Sequence, residues 1–289
     1  MCHFGPVRAW IDRGVPWALR AAWAVLPIVV GPALAHHLHG WDPNVRTAAS
    51  ALVWAGWATV AVATCVARPP ALAVVRVGVA AGVVVAIFAR TPGLVAAVLA
   101  AGIAARPEAS EWFVNGPAYA NERRFPLRVP GPVAAGPMWL ASVLVVLGPA
   151  EGIVLLAGRR YPLGAAVLVV GGALAYVSAR SLLVLTRRWV VFVPAGLVLH
   201  DPLTLVDPVL FERTVIETLR AAPADTDSLD VTGAAHGLAV ELVLLEKVPM
   251  VLNKGRKKSE AGASARLLFT PTRPGRVLHE AASRRIPVG

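Results

Sequence analysis

Six runs of apolar residues dominate the first 186 residues of this chain, and most are long enough to cross a lipid bilayer. A membrane-spanning helix needs about 20 mostly apolar residues, because its backbone groups find no water to bond in the hydrocarbon core. The pattern predicts spans at residues 17–35, 47–67, 71–89, 92–105, 132–157 and 163–186. The fourth run is short enough for a re-entrant segment, but the turn-forming residues 90–93 before it indicate a helix hairpin.

The composition of the chain argues against a soluble enzyme and excludes disorder. Hydrophobic residues make up 56% of the chain and charged residues only 16%, whereas soluble domains usually carry about 25% charge. Acidic residues number 6 before position 187 and 11 after it. We therefore expect an α-helical polytopic membrane domain over residues 1–186 and a small β-rich (α+β) cytoplasmic domain over residues 187–289. The two cysteines, Cys2 and Cys65, cannot build a disulfide framework or a thiolate metal site.

The arginines in the loops predict how the chain is oriented in the membrane. With the N-terminus inside, the cytoplasmic side collects ten arginines and the outer side four. Because cytoplasmic loops carry an excess of basic residues, we expect both termini and the loop at 106–131 in the cytoplasm. This orientation accounts for the net charge of +11 without a nucleic-acid partner. The first run also resembles a secretory signal with a small-residue cleavage site at 33–35, but we expect it to remain as an anchor.

From Trp189 onward, short β-type segments replace the long apolar runs. The pattern predicts strands at 189–193, 197–200, 203–206, 240–246 and 266–269, and a terminal helix at 274–285. Residues 210–219 fit either a strand or a short helix. Alternation in the fourth strand places Val240, Leu242 and Leu244 on one face and leaves the face of Glu241 partly wet. The polar, basic stretch 253–265 is expected to be a disordered hairpin extension.

This tail resembles the pleckstrin-homology-like modules of small bacterial membrane proteins. The resemblance is carried by Arg187–Val193, which enters directly from the last span, and by Phe269–Thr272 before the final helix. It implies a β-sheet domain closed by a C-terminal helix. The membrane part, including Asn121–Arg128, resembles uncharacterised multi-pass proteins of high-GC bacteria. That resemblance implies a place in the bacterial cytoplasmic (inner) membrane and supplies no function.

Of the charged residues inside the predicted spans, Arg76, Glu151 and Arg180 stand out. A charge inside a bilayer costs about 2.5–3.5 kcal/mol on insertion scales, so each is a functional candidate. The two arginines lie near the inner ends of their spans, and we expect their long side chains to reach the headgroups. Glu151 follows Pro149 between two glycines, where a break in the helix would place it at an interface or open a cation-binding site.

Three histidines, His36, His37 and His39, form a cluster at the predicted outer end of the first span. Imidazole nitrogens are common metal ligands, so the cluster is a candidate metal site. Adjacent residues on a helix point about 100° apart, however, and the three rings cannot all converge on one ion without irregular backbone. We therefore expect an interfacial polar belt here, and no metal or other cofactor.

The inner loop carries Arg123, Arg124, Phe125 and Arg128. Arginines near an anionic leaflet contribute about 1 kcal/mol each, and their forked donors suit phosphate. These residues are candidates for contact with lipid headgroups or a partner protein. There are two alternatives. The arginines only set the orientation of the chain in the membrane, or they dock onto acidic patches of the tail.

We therefore expect a non-catalytic scaffold or assembly factor that contacts anionic lipid and a protein partner or a second copy of itself. The alternative is a small transporter, or an accessory subunit of one, that uses Glu151. An enzyme is the third choice, because acid, base and nucleophile converge nowhere and phosphate-loop, dinucleotide-binding, serine-hydrolase and metalloprotease motifs are absent.

Overall fold

The computed structural model of the chain describes residues 7–255 and 258–289, with side chains from Gly14 onward. Five of its helices are long and apolar enough to span a bilayer. The helices are α1 (Val7–Leu38), α2 (Pro43–Cys65), α3 (Pro69–Phe88), α4 (Leu94–Ala105), α5 (Pro107–Asn115), α6 (Gly131–Ala134), α7 (Pro137–Ala157), α8 (Tyr161–Leu185) and α9 (Pro274–Ser283). The chain divides into two compact units. The helical unit runs to Gly116 and resumes over Trp139–Leu183, and the β unit combines Pro117–Met138 with Val184–Gly289.

Prolines mark where several of these helices begin. Pro43, Pro69 and Pro107 each stand in the first turn of a helix, where a missing N–H leaves no helical hydrogen bond unmade. Asp42 caps α2, since its carboxylate accepts from the backbone N–H groups of Asn44 and Val45 at 2.9 and 3.3 Å.

Helices α1 to α5 pack around one apolar core. The indole Nε1 of Trp23 donates to the carbonyl of Trp57 at 3.0 Å, and Nε1 of Trp57 donates back to the carbonyl of Trp23 at 3.1 Å. Gly82 brings α3 against the Trp23 ring, since a Cβ there would lie 3.1 Å from Cζ3. Small residues thus let the helices pack closely. Such packing matters in a membrane because lipid provides no hydrophobic drive for helices to associate.

The predicted fourth span is a shorter helix than expected. Helix α4 has 12 residues, about 18 Å at 1.5 Å per residue, which is less than a hydrocarbon core of about 30 Å. The hydroxyl of Thr91, just before α4, donates to the carbonyl of Val29 in α1 at 2.9 Å. Gly116, just after α5, packs against Ala67 in the α2–α3 turn. Together, therefore, α4 and α5 return the chain to the end of the bundle where α3 began.

Helices α7 and α8 form a hairpin with glycines at its crossing. A Cβ at Gly148 would lie 2.6 Å from the carbonyl oxygen of Gly171, and one at Gly152 would lie 2.6 Å from Cα of Leu168. The backbones of α7 and α8 therefore touch, as in small-residue helix pairs of membranes.

The β unit contains two four-stranded sheets. Its strands are β1 (Arg123–Pro126), β2 (Trp189–Val193), β3 (Gly196–His200), β4 (Val209–Glu212), β5 (Ile216–Ala221), β6 (Leu229–Asp230), β7 (Val240–Asn253) and β8 (Ser259–Phe269). The first sheet has the order β1-β2-β3-β4 and the second β5-β7-β8-β6. The apolar faces of both sheets, with Val277 and Ala281 of α9, share one buried core.

The structure corrects several strand predictions. Residues 203–206 form no strand and make only an isolated bridge, from Leu205 to Leu252. The ambiguous segment 210–219 becomes the end of β4 and most of β5. The stretch expected to be disordered is paired as far as Asn253 and Ser259, because Asn253 is anchored to the carbonyls of Thr204 and Pro202.

The largest difference is β1, which comes from the predicted inner loop. It pairs antiparallel with β2, placing Pro126 opposite Trp189 and Arg123 opposite Phe192. On its other side, the N–H of Arg128 donates to the carbonyl of Thr270 and that of Thr272 to Pro126. Strand β1 thus pairs with β2 of the first sheet, and the chain around its end bonds the residues that follow β8 of the second sheet.

Candidate functional site

Arg76 is held by α5 within the helical unit. Its Nη2 donates to the hydroxyl of Ser110 at 2.6 Å, and Ser110 is buried. The guanidinium thus finds a polar partner inside the protein, whereas the sequence suggested that it reaches the headgroups. Sequence reasoning missed Ser110, although the amphipathic spacing of residues 107–115 was a usable signal.

A second arginine, Arg20 of α1, lies on the other side of α5. Its Nε donates to the carbonyl of Thr64 at 3.1 Å, and its guanidinium lies 4.7 Å from the ring centre of Trp17 and 5.5 Å from that of Trp112. Together, Arg20 and Arg76 fasten the amphipathic helix α5 to α1, α2 and α3. Both cations therefore have partners within the protein.

Arg180 lies on an exposed face of α8. Its guanidinium carbon is 6.0 Å from the ring centre of Tyr176, one helical turn earlier. An exposed arginine paired with a tyrosine is typical of a residue at the membrane interface.

Glu151 lies on an exposed face of α7. The helix continues through Pro149 and ends only at Ala157, so the break considered from the sequence is absent. Among the described residues, no hydrogen bond or ion pair reaches the carboxylate. It also lines neither of the two described pockets, one around Val29 and Leu99 and the other around Leu205 and Asn253.

The histidine cluster lies at the end of α1, with His36 and His37 in the last turn of the helix and His39 just after it. The side chains of His36, His37 and His39 are all exposed. The ring of His37 meets Phe88 of α3 edge to face at 4.4 Å, and Trp41 contacts the same phenyl ring at 6.2 Å.

The structure does not assemble His36, His37 and His39 into a set of metal ligands. Within the described part of the chain, no group of three or more histidine, cysteine or acidic side chains has the geometry to hold a metal ion. The physical reason is the backbone: His36 and His37 are successive residues of one helix, so their rings point about 100° apart. His37 is instead packed against an aromatic ring of α3.

Phe125 and its neighbours belong to the β unit. Phe125 is 1% exposed and meets Phe192 edge to face at 5.8 Å, so its ring is part of the core and is not exposed to lipid. Arg124 lies on the other face of β1, and its guanidinium forms a 3.0 Å ion pair with Glu122. Arg128, just beyond the strand, is exposed.

Three side chains form a stack on the outer face of the first sheet. Trp189 and His200 are opposite each other in β2 and β3, and their rings lie 4.9 Å apart with an angle of 11°. The guanidinium carbon of Arg124 lies 5.5 Å from the Trp189 ring centre. Nδ1 of His200 donates to the carbonyl of Arg187 at 2.7 Å, so the stack is tied to the residues directly after α8. Arg187 joins the stack through this backbone carbonyl, and its side chain is exposed. We call Arg124, Trp189 and His200, with Arg187 beside them in the chain, the aromatic-arginine face.

A buried ion pair lies at the start of β2. Nε and Nη2 of Arg188 donate to the two carboxylate oxygens of Asp201, both at 2.7 Å, and the side chains are 1% and 0% exposed. Nη1 of Arg188 donates to the carbonyl of Arg128. The pair therefore joins three segments: the residues just beyond β1, the residue before β2 and the residue after β3.

Glu241 is a third buried charged residue of the β unit. Its Oε2 accepts from Nε of Arg220 at 2.7 Å, and its Oε1 accepts from Ser228 at 2.6 Å and from Thr226. Burial raises the pKa of this carboxyl, but the hydroxyl donors and Arg220 outweigh it and hold the pKa at about 2. Its face was expected to be partly wet, but the loop of Thr226 and Ser228 covers it.

Neither Arg188–Asp201 nor the Glu241 network places a nucleophile beside a base in an open cleft. In both places the buried charged groups are paired with protein partners and have a structural role. Comparison with protein-family models, with curated proteins and with solved structures finds no match for this chain.

Proposed function

We propose that this chain is a non-catalytic membrane scaffold whose β unit contacts the anionic headgroups of the cytoplasmic leaflet through the aromatic-arginine face. The observation that carries this proposal is the stack of Arg124, Trp189 and His200 beside Arg187. Tryptophan and arginine are residues that membrane proteins concentrate at the headgroup level.

The connectivity of the chain supports a position near the membrane. Trp189 follows Leu185, the last residue of α8, by only four residues. Strand β1 is likewise followed, after ten residues, by α7. Two of the three strands that carry the stack, β1 and β2, therefore lie close in sequence to helices with the length and composition of membrane spans.

The proposal includes six crossings, with both termini in the cytoplasm. The α4–α5 pair acts as the return crossing, since it begins beside Val29 of α1 and ends beside Ala67 in the α2–α3 turn. An even number of crossings then puts the β unit on the arginine-rich side, which is the cytoplasmic side in bacterial membranes.

Two four-stranded sheets followed by a helix support a pleckstrin-homology-like arrangement for the β unit. A transport role through Glu151 would need an aqueous path to its carboxylate, and neither described pocket reaches it.

Native mass spectrometry of the full-length chain tests the proposal. The purified protein is delipidated in mild detergent and titrated with phosphatidylglycerol or phosphatidylcholine. We expect preferential binding of the anionic lipid, weakened about five-fold for each arginine removed in the Arg124→Gln/Arg187→Gln variant.

The matched control is Arg266→Gln, because Arg266 is an exposed arginine on β8 of the other sheet. This variant is expected to bind phosphatidylglycerol like the wild type. Equal binding of the two lipids by the wild type, or undiminished phosphatidylglycerol binding by the double variant, would contradict the proposal.

A further inference from the structure

The α7–α8 hairpin presents an apolar surface that bears one acidic group. Leu140, Leu144, Leu147 and Glu151 follow one another at helical spacing of four, three and four residues on α7, so they share one face. Leu140 and Leu147 are exposed, as is Glu151. We call these four residues the Glu151 stripe.

Lipid can cover the leucines of the stripe but cannot satisfy the carboxylate. Glu151 lies 14 residues from Pro137 and six from Ala157, which is about 9 Å from the nearer end of the helix at 1.5 Å per residue. A glutamate side chain is too short to bring its charge to the headgroups from that depth, unlike the long side chains of arginine and lysine.

The described residues also supply no partner for Glu151. None of them donates a hydrogen bond to its carboxylate or pairs with it. The glycines that would otherwise let another helix approach, Gly148 and Gly152, are already used in the crossing with α8. The stripe lies beside this crossing and stays open.

We infer that the Glu151 stripe is the docking surface for a membrane helix of another protein that carries an arginine or lysine at the depth of Glu151. Charge complementarity selects this occupant. Intramembrane acidic groups pair with cations or other polar groups because the hydrocarbon offers them no other partner. The leucines of the stripe supply the van der Waals surface along which such a helix packs.

The test measures energy transfer in liposomes between the full-length protein and designed transmembrane peptides. The protein is labelled with a donor dye at the exposed Cys65 in a Cys2→Ser background. The acceptor-labelled peptides are 23-residue Leu-Ala helices with Arg, Leu or Glu placed about 9 Å from one end, set by the helical rise.

We expect the Arg peptide to bind about five- to thirty-fold more tightly than the Leu peptide, the range of an intramembrane polar contact. Glu151→Gln, which keeps the shape of the side chain, is expected to reduce Arg-peptide binding to the level of the Leu peptide. The matched control is Glu217→Gln, which removes one exposed negative charge from β5 and is expected to leave the preference intact.

Equal transfer to the Arg and Leu peptides would overturn the inference, and so would an Arg preference that survives Glu151→Gln. Energy transfer between two copies of the protein that is lost in Glu151→Gln would assign the stripe to a second copy and overturn the choice of occupant. Lipid binding in the mass-spectrometric experiment does not involve the stripe, so the two proposals can fail separately.

Discussion

At the scale of single residues, the buried Arg188–Asp201 pair makes the β unit sensitive to one substitution. Arg188→Met would leave the Asp201 carboxylate buried without its two guanidinium donors, and breaking such a pair costs about 3–5 kcal/mol. We expect the free energy of unfolding of the full chain in detergent to fall by the same amount. Urea titration monitored by near-ultraviolet circular dichroism measures this change.

The double variant Arg188→Met/Asp201→Leu separates loss of the pair from loss of packing. Replacing both charges by apolar groups removes the stranded carboxylate, so most of the lost stability should return. If the single variant costs less than about 1 kcal/mol, the figure expected for an exposed pair, the pair is not buried in solution.

Glu241 makes a pH-dependent contribution at the same scale. Its pKa of about 2 in the folded protein lies below the ordinary value of 4.5, so folding favours the ionised carboxylate. The resulting stability is fully present above about pH 5 and is lost as the pH falls through 4.5 toward 2.

Glu241→Gln should therefore destabilise the β unit by about 1.5–3 kcal/mol at neutral pH, the range for hydrogen bonds to a charged group. The difference from the wild type should shrink as the pH falls toward 2, because protonation removes the same charge from the wild-type protein. Urea titrations at pH 7, 4 and 2.5 measure this difference in the free energy of unfolding. A constant difference at all three values would refute the assignment of the lowered pKa.

At the scale of elements, two adjacent glycines in α8 provide a test of the hairpin. A Cβ at Gly171 would lie inside the van der Waals distance of the Gly148 carbonyl, whereas a Cβ at Gly172 would meet nothing within 4 Å. Gly171→Ala should therefore force α7 and α8 apart and cost about 1–3 kcal/mol, as overpacking does.

The control, Gly172→Ala, should be neutral or slightly stabilising, because alanine is the better helix former. Thermal unfolding in detergent compares the two variants. Similar melting temperatures for both would show that the helices do not touch at Gly171.

Elements with strong local signals could be predicted from the sequence. Long apolar runs between prolines and glycines predicted the five long helices, and the Pro194-Ala195-Gly196 turn predicted the β2–β3 hairpin, because both signals lie within one short segment. Strand β1 could not be predicted from its four residues, since its hydrogen-bond partners lie in β2 and in residues 270–272. The buried state of Glu241 was missed for the same reason: its donors, Thr226 and Arg220, come from separate segments.

The candidate site was predictable only as residue types. Arg76 and Glu151 stood out because charge among apolar residues is visible in any sequence, and Arg124 stood out because it belongs to a cluster of arginines in the inner loop. Their surroundings were not visible: Ser110 reaches Arg76 through the packing of α5 on α3, and Trp189 meets Arg124 through the β1–β2 ladder. The burial of a charged side chain and the identity of its partner depend on contacts between residues that are distant along the chain. The spacing of residues within one segment does not reveal such contacts.

At the scale of the whole molecule, the β unit depends on a strand, β1, that lies in sequence between α5 and the α7–α8 hairpin. The chain leaves β1, forms the α7–α8 hairpin and returns as β2, the antiparallel partner of β1. Leu127 donates its N–H to the carbonyl of Arg188 at 3.0 Å, so the points of departure and return are adjacent. The hairpin is therefore an insertion into a β domain that closes without it.

This arrangement predicts that Pro117–Met138, joined through a short Gly-Ser linker to Val184–Gly289, folds as a soluble domain with one cooperative urea transition. Val184–Gly289 alone should not, because it lacks Phe125 and leaves one edge of β2 unpaired. Losing a buried phenylalanine costs about 3–5 kcal/mol, a large part of the roughly 5–15 kcal/mol that holds a domain folded. The joined polypeptide with Phe125→Ala, which keeps the strand but not the ring, should lie between the two. If the joined polypeptide and Val184–Gly289 alone are equally stable, β1 is not needed for the β domain to fold.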